Sequence, residues 1–334
     1  MKFQRVISSS QATLPIVCAI VLALWFLLPS PNNPQDYLAD EYGLWQFLPS
    51  FFHDSQYSLL LGVSCAAIAM YMMVELKNKN LLLRVNSYML SSTLALLLAL
   101  SAPLHPMQPS SLLMIFTLYA YFPLFASYQM PHPFIAFSIY FPLSIASLFF
   151  PKFLLLTPIY WILQIYLRSF SFRSFLASLI AIIMPYWLYG GAAIITDTIP
   201  QFIAHLQSII AIPDIVAAPL SLTEQLSAFL PMLALVTLML IIGIVDFQRN
   251  SFLDKTRTRS LYNVVQWHAI SLYLFIILYH SHSFTLLPLL IVDTSILYGH
   301  FFTLTHTRMS HIVNIIVAVL MLSLLGIQFI DFLL

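Results

Sequence analysis

The residue best placed to do chemistry is an acid embedded in an apolar run. Asp293 sits within Leu289-Leu-Ile-Val-Asp293-Thr-Ser-Ile-Leu-Tyr-Gly-His300. At the centre of a membrane helix an aspartate costs roughly 2.5–3.5 kcal/mol on insertion scales, so it must face protein or water rather than lipid. His300 follows seven residues later, which puts both side chains on one helical face about two turns apart. His268, on the preceding antiparallel helix, is expected at a depth similar to that of His300. An aspartate with two histidines nearby can relay protons or bind a cation. A neutral Asp293 bonded to Thr294, Ser295 or a neighbouring carbonyl would satisfy the same physics without any function.

A second set of carboxylates lies in Asn33-Pro-Gln-Asp-Tyr-Leu-Ala-Asp40-Glu41-Tyr-Gly-Leu-Trp45, which runs on into Phe51-Phe52-His53-Asp54. Acids followed at once by aromatics place Asp40 and Glu41 at headgroup height, where a lipid-linked substrate presents its polar end. A second outer segment, 199–212, spaces Phe202, Ile203, Leu206, Ile209 and Ile210 along one helical face, with Gln201, His205 and Ser208 off it. The two segments could flank a shallow pocket, or could simply cap the bundle with their acids solvated. The ten histidines include His280-Ser-His282, but metal sites need convergent ligands at fixed spacing, and no metal site is expected. Cys18 and Cys65 both lie in apolar runs and read as small buried side chains. No phosphate-binding loop, dinucleotide fingerprint or nucleophile elbow occurs, which leaves the cofactor unknown.

Composition dictates what must hold these residues. Of 334 residues 60% are hydrophobic and 7% charged, against roughly 25% charged in a soluble domain. So few charges cannot cover a water-facing surface, and the lipid bilayer is the expected partner. A net charge of +1 offers nothing to nucleic acid. Crossing a hydrocarbon core takes about 20 mainly apolar residues. Candidate runs fall near 13–29, 57–75, 86–103, 111–129, 134–150, 153–168, 175–196, 226–246, 264–280, 285–304 and 312–333. The fold class is therefore all-α, a polytopic transmembrane helix bundle of about 11 spans forming a single membrane domain over 1–334. The pair 134–150 and 153–168 is short and could form a bent or re-entrant hairpin.

Basic loops resist translocation, so they report orientation. With the N-terminus cytoplasmic, every lysine and arginine except Lys152 falls on the inner side, while Asp36, Asp40, Glu41, Asp54, Asp197, Asp214 and Glu224 fall on the outer side. Pro15, Pro123, Pro142, Pro158, Pro185, Pro231 and Pro288 lie within spans and are expected to kink them. The basic start and apolar 13–28 look like a signal peptide but lack a small-x-small cleavage site, so an uncleaved first helix is expected.

The stretch Leu167-Arg168-Ser-Phe-Ser-Phe-Arg173-Ser-Phe-Leu-Ala-Ser, followed by Met184-Pro185-Tyr186-Trp187, resembles a family of bacterial multi-spanning inner-membrane proteins. That resemblance covers about a tenth of the chain; it implies a bacterial plasma-membrane location and no particular activity. The architecture, with a carboxylate-bearing first outer loop, more loosely resembles glycosyltransferases of the GT-C type. Such enzymes use polyprenol-linked sugars and an acid in that loop, which here points to Asp40 and Glu41. The chain departs from them in lacking outer-side Lys or Arg beyond Lys152 to hold a donor phosphate.

Three readings follow. The first is an envelope scaffold or assembly subunit. The second is an outer-face enzyme acting on a lipid-linked sugar, with Asp40 or Glu41 as general base. The third is a proton-coupled transporter using Asp293 beside His300 or His268. Seven glycines and no internal repeat weigh against a rocking transporter, and the missing outer cations weigh against the enzyme, so the scaffold stands first.

Overall fold

The computed structural model describes residues 10, 12–28, 44–47, 55–210, 223–279 and 283–333. Twelve α-helices make up the described chain, with no strand among the described residues. In order they are α1 (Thr13–Leu27), α2 (Ser55–Asn80), α3 (Met89–Ala99), α4 (Pro109–Ala126), α5 (Pro133–Phe149) and α6 (Thr157–Tyr166). Then come α7 (Phe172–Ile195), α8 (Ile199–Ile210), α9 (Thr223–Asn250), α10 (Thr256–Leu278), α11 (Ser283–Leu304) and α12 (Arg308–Leu333). Each of the eleven apolar runs carries one helix; α8 is the twelfth. Seven helices, α2, α4, α7 and α9 to α12, are long and apolar enough to cross a membrane. This is a membrane-embedded type of helical bundle.

Local chemistry sets the helix starts. Pro109 and Pro133 open α4 and α5, where a missing N–H goes unmissed. The Ser171 side chain accepts from the Ser174 amide and caps α7. Pro15 and Pro158 also fall in first turns, so they begin α1 and α6 and do not kink them. Pro123, Pro142, Pro185, Pro231 and Pro288 do lie inside helices. The short α6 is preceded by a 3-10 segment, Pro151–Leu156, and at ~1.5 and ~2 Å rise per residue the two together span about 27 Å.

One helix organises the rest. In α11 the residues from Thr285 to Phe301 are all buried, enclosed by α3, α4, α9 and α10. Helix α12, by contrast, presents Ile312, Ile315, Ile316, Val319 and Leu322 outward, as does α7 with Trp187 and Ile195. Polar groups are therefore hidden and apolar groups displayed, as a lipid solvent requires. Glycines permit the closest approaches. A Cβ on Gly243 of α9 would lie 2.8 Å from the Leu297 carbonyl carbon of α11. One on Gly62 of α2 would lie 1.8 Å from the His105 carbonyl oxygen.

The connections gather at two ends. At one end Arg84 meets Asp254, Arg257 donates to Asn80, and the Gln129 amide donates to the Leu167 carbonyl. These contacts join the 81–88 connection to 251–255 and the 127–132 connection to 167–171, and Arg84, Arg168 and Lys255 lie among them. At the other end Lys152 lies over the Tyr279 ring, and His105 stacks on Trp25 at the close of α1.

Candidate functional site: a buried acid–imidazole–phenol cluster

Asp293 lies at the middle of α11, and its neighbours come from three other helices. His268 Nδ1 on α10 is 2.7 Å from Asp293 Oδ2. The Tyr121 hydroxyl on α4 donates to Asp293 Oδ1 and lies 2.8 Å from His268 Nδ1. The far nitrogen, Nε2, is 3.2 Å from the Tyr160 hydroxyl on α6. Both tyrosine rings meet the imidazole near edge-on, with centroids 5.5 and 5.4 Å away. A further layer follows, with Tyr140 donating to Gln164 at 3.0 Å. All four side chains at the centre are 0% exposed.

The antiparallel register of α10 and α11 explains the pairing. It sets His268 level with Asp293, and Tyr262 level with His300, whose rings lie 4.6 Å apart. His268 is thus not at the depth of His300, as the sequence reading expected. Seven residues of α-helix span ~10.5 Å, so sharing a face with Asp293 does not bring His300 within reach of it.

The cluster's proton inventory constrains its chemistry. Tyr121 donates to the carboxylate, and the Tyr160 hydroxyl can donate to or accept from Nε2. With Nε2 protonated toward Tyr160 and one further proton shared between Nδ1 and Asp293, whether as imidazolium and carboxylate or as two neutral groups, the pair has no net charge. Removing that proton leaves one negative charge away from water, a state costing several kcal/mol unless compensated. Among the described residues no lysine or arginine makes a hydrogen bond or ion pair to any of the four. The arrangement links one carboxylate, one imidazole and two phenols in an unbroken hydrogen-bonded chain across three helices around α11.

His300 belongs to a second cluster near the basic end. Its Nε2 is 3.2 Å from Asp254 Oδ2, and Arg84 Nε is 2.6 Å from Asp254 Oδ1. Burial pushes the Asp254 carboxyl up, but hydrogen bonds from His300 and Arg84 and their charge outweigh it and hold the group below the ordinary carboxylate value. The Tyr262 hydroxyl donates to the Leu82 carbonyl and closes the cluster on one side.

The opposite end holds other buried histidines. His105 Nε2 donates to the Ala99 carbonyl at 3.0 Å, leaving Nδ1 without a hydrogen-bond partner. Burial pulls the imidazole down to about 4. On α8 the inward face is Phe202, His205 and Ile209, with His205 between Tyr186 and Tyr189, while Ile203, Leu206 and Ile210 point outward. The apolar face read from sequence is therefore split, and the histidine points in. An apolar cavity of ≈570 Å³ is lined by Leu44 of the first outer segment together with Leu148, Tyr189, Thr196 and Thr198.

Asp40 and Glu41 lie outside the described residues. Sequence reasoning missed Tyr121, Tyr160, Arg84 and Asp254. A tyrosine inside an apolar helix is the only signal that could have marked the first two. No protein-family model, no curated protein and no solved structure matches this chain.

Proposed function

We propose that this chain is a multi-pass membrane protein that binds and releases a proton at Asp293–His268, as the coupling element of a transporter. One observation carries the reading: a fully buried acid–imidazole pair at the middle of α11, hydrogen-bonded to two tyrosines. Intramembrane acids facing a protein interior mark ion and proton pathways. The enclosure of all four side chains fits an occluded state. In this reading α1 to α7 and α9 to α12 make eleven crossings, α8 lies at the outer interface, and the basic end with the N-terminus faces the cytosol of a bacterial plasma membrane. The concentration of basic connections at one end supports that orientation.

A scaffold or assembly role is the second reading, favoured by the close packing of Gly243 against α11, which resists rocking. The third, an enzyme acting on a lipid-linked sugar, rests on Asp40 and Glu41 alone. Proteoliposomes on a solid-supported membrane separate them. A pH jump should give a transient current as the site loads, and Asp293→Asn should abolish it. A silent wild-type protein sinks the proton reading and leaves the scaffold. If Asp40→Ala with Glu41→Ala instead abolishes function while Asp293→Asn is active, the enzyme reading replaces both.

A further inference from the structure

At the basic end, a cavity of ≈480 Å³ opens between the 80–84 turn and the start of α10, lined by Arg84, Asp254, Lys255, Arg257 and Thr258. Its charges do not cancel. Both oxygens of Asp254 are taken, one by Arg84 and the other by His300. Arg257 donates only to neutral oxygens, the Asn80 side chain at 3.1 Å and the Phe125 carbonyl at 3.4 Å. Among the described residues neither Lys255 nor Arg257 forms an ion pair with an acid. The first turn of α10 has no side-chain cap, so its amides add to the same positive field.

The rim has the opposite character. Leu81 is 70% exposed and Phe252 71%, with Leu253 exposed beside them. Leu81 takes a left-handed backbone, φ 50°, which turns the chain outward at the cavity mouth. Two uncancelled cations inside a ring of exposed apolar side chains, at the end of a helical bundle, match an acyl chain below a phosphate.

We propose that this cavity binds the headgroup phosphate of an anionic phospholipid from the leaflet at the basic end. Lys255 and Arg257 contact the phosphate, while Leu81, Phe252 and Leu253 lie against the glycerol and first acyl carbons. Cations gathered between membrane helices recognise such headgroups, and arginine suits phosphate oxygens in particular. The site is independent of the proton reading, since it shares no residue with Asp293 or His268.

The test is native mass spectrometry of the full chain, released from mixed micelles holding equal amounts of phosphatidylglycerol and phosphatidylcholine. Phosphatidylglycerol should be retained several-fold over phosphatidylcholine, and Lys255→Gln and Arg257→Gln should each reduce that preference. Arg257 also ties α10 to Asn80, so its variant could fail to fold; Lys255 is exposed, and its variant keeps the test intact. Equal retention of the two lipids overturns the proposal, as does a preference unchanged in Lys255→Gln. Adding inorganic phosphate at millimolar concentration decides the source. Lipid retention that persists supports a headgroup site, and displacement of the lipid by phosphate alone overturns it in favour of a free anion.

Discussion

Replacing Asp293 by alanine and by asparagine should have very different consequences. Alanine removes the acceptor for His268 Nδ1 at 2.7 Å and for the Tyr121 hydroxyl, both fully buried. Breaking a buried pair in this way costs about 3–5 kcal/mol. Asparagine keeps the shape. Its carbonyl still accepts from Tyr121, and its amide donates where Oδ2 stood to the Nδ1 of a neutral His268. Nε2 keeps its proton and donates to the Tyr160 hydroxyl at 3.2 Å, so only the proton shared by Asp293 and Nδ1 is lost. Every polar atom keeps a partner, so the cost should be about 1 kcal/mol. Denaturant or thermal unfolding of the detergent-solubilised protein measures the gap, and the pH-jump current measures proton loading in the same two variants. The expected result is a stable but electrically silent asparagine variant beside a destabilised alanine variant. Equal destabilisation by both would mean that the fold needs the ionised pair itself. A current surviving in Asp293→Asn would place the proton elsewhere and refute the reasoning.

Three further outcomes are expected. His105 is held down to about 4 by burial, against an ordinary 6.5, so the unfolded chain binds its proton first on acidification. Stability from this group should be intact above pH 6.5 and fall by roughly 3 kcal/mol as pH drops to 4, and His105→Phe should flatten unfolding curves across that window. Gly62→Ala should be among the most damaging small changes, because its Cβ would fall 1.8 Å from a backbone oxygen; Gly191→Ala, with nothing within 4 Å, should leave the unfolding temperature unchanged. The Asp254 carboxyl is held below its ordinary 3.8, so it stabilises the fold above that pH and ceases to as pH falls further. Asp254→Ala should therefore lower the unfolding free energy at neutral pH by about 3 kcal/mol and remove the extra acid sensitivity below pH 3.8, both read from unfolding titrations.

How much of this was legible in the sequence follows from what lipid demands. Every membrane-spanning element must be a helix, so an apolar run announces itself, and each of the eleven runs carries one. Depth along a helix was misread: although the α10–α11 connection is short, His268 was set level with His300, whereas the register pairs it with Asp293. Burial is not legible either. Helix α12 is more apolar than α11 yet mostly faces outward, while α11 is the most enclosed of the long helices. In lipid, hydropathy reports what a helix can tolerate outside it, not what packs against it. Partners distant in sequence were invisible for the same reason: Arg84 and Asp254 are 170 positions apart, and each alone reads as a topology marker or a loop acid. Tyr121 and Tyr160 are two of 17 tyrosines, most of which could be interfacial anchors. His300 misled because a shared helical face was taken for proximity.

The enclosed position of α11 has a consequence for biosynthesis. This helix is translated after ten of the others, yet its surroundings are built from α3 and α4 near the start and α9 and α10 just before it. Until the ribosome delivers it, Tyr121 and His268 lack the carboxylate that both of them meet in the finished fold. The early helices must therefore wait in a loose arrangement, and tertiary closure comes as one late event when α11 slots in. Chains arrested upstream of residue 283 should be inserted but open to proteolysis, and extending them through residue 304 should confer resistance abruptly, not helix by helix.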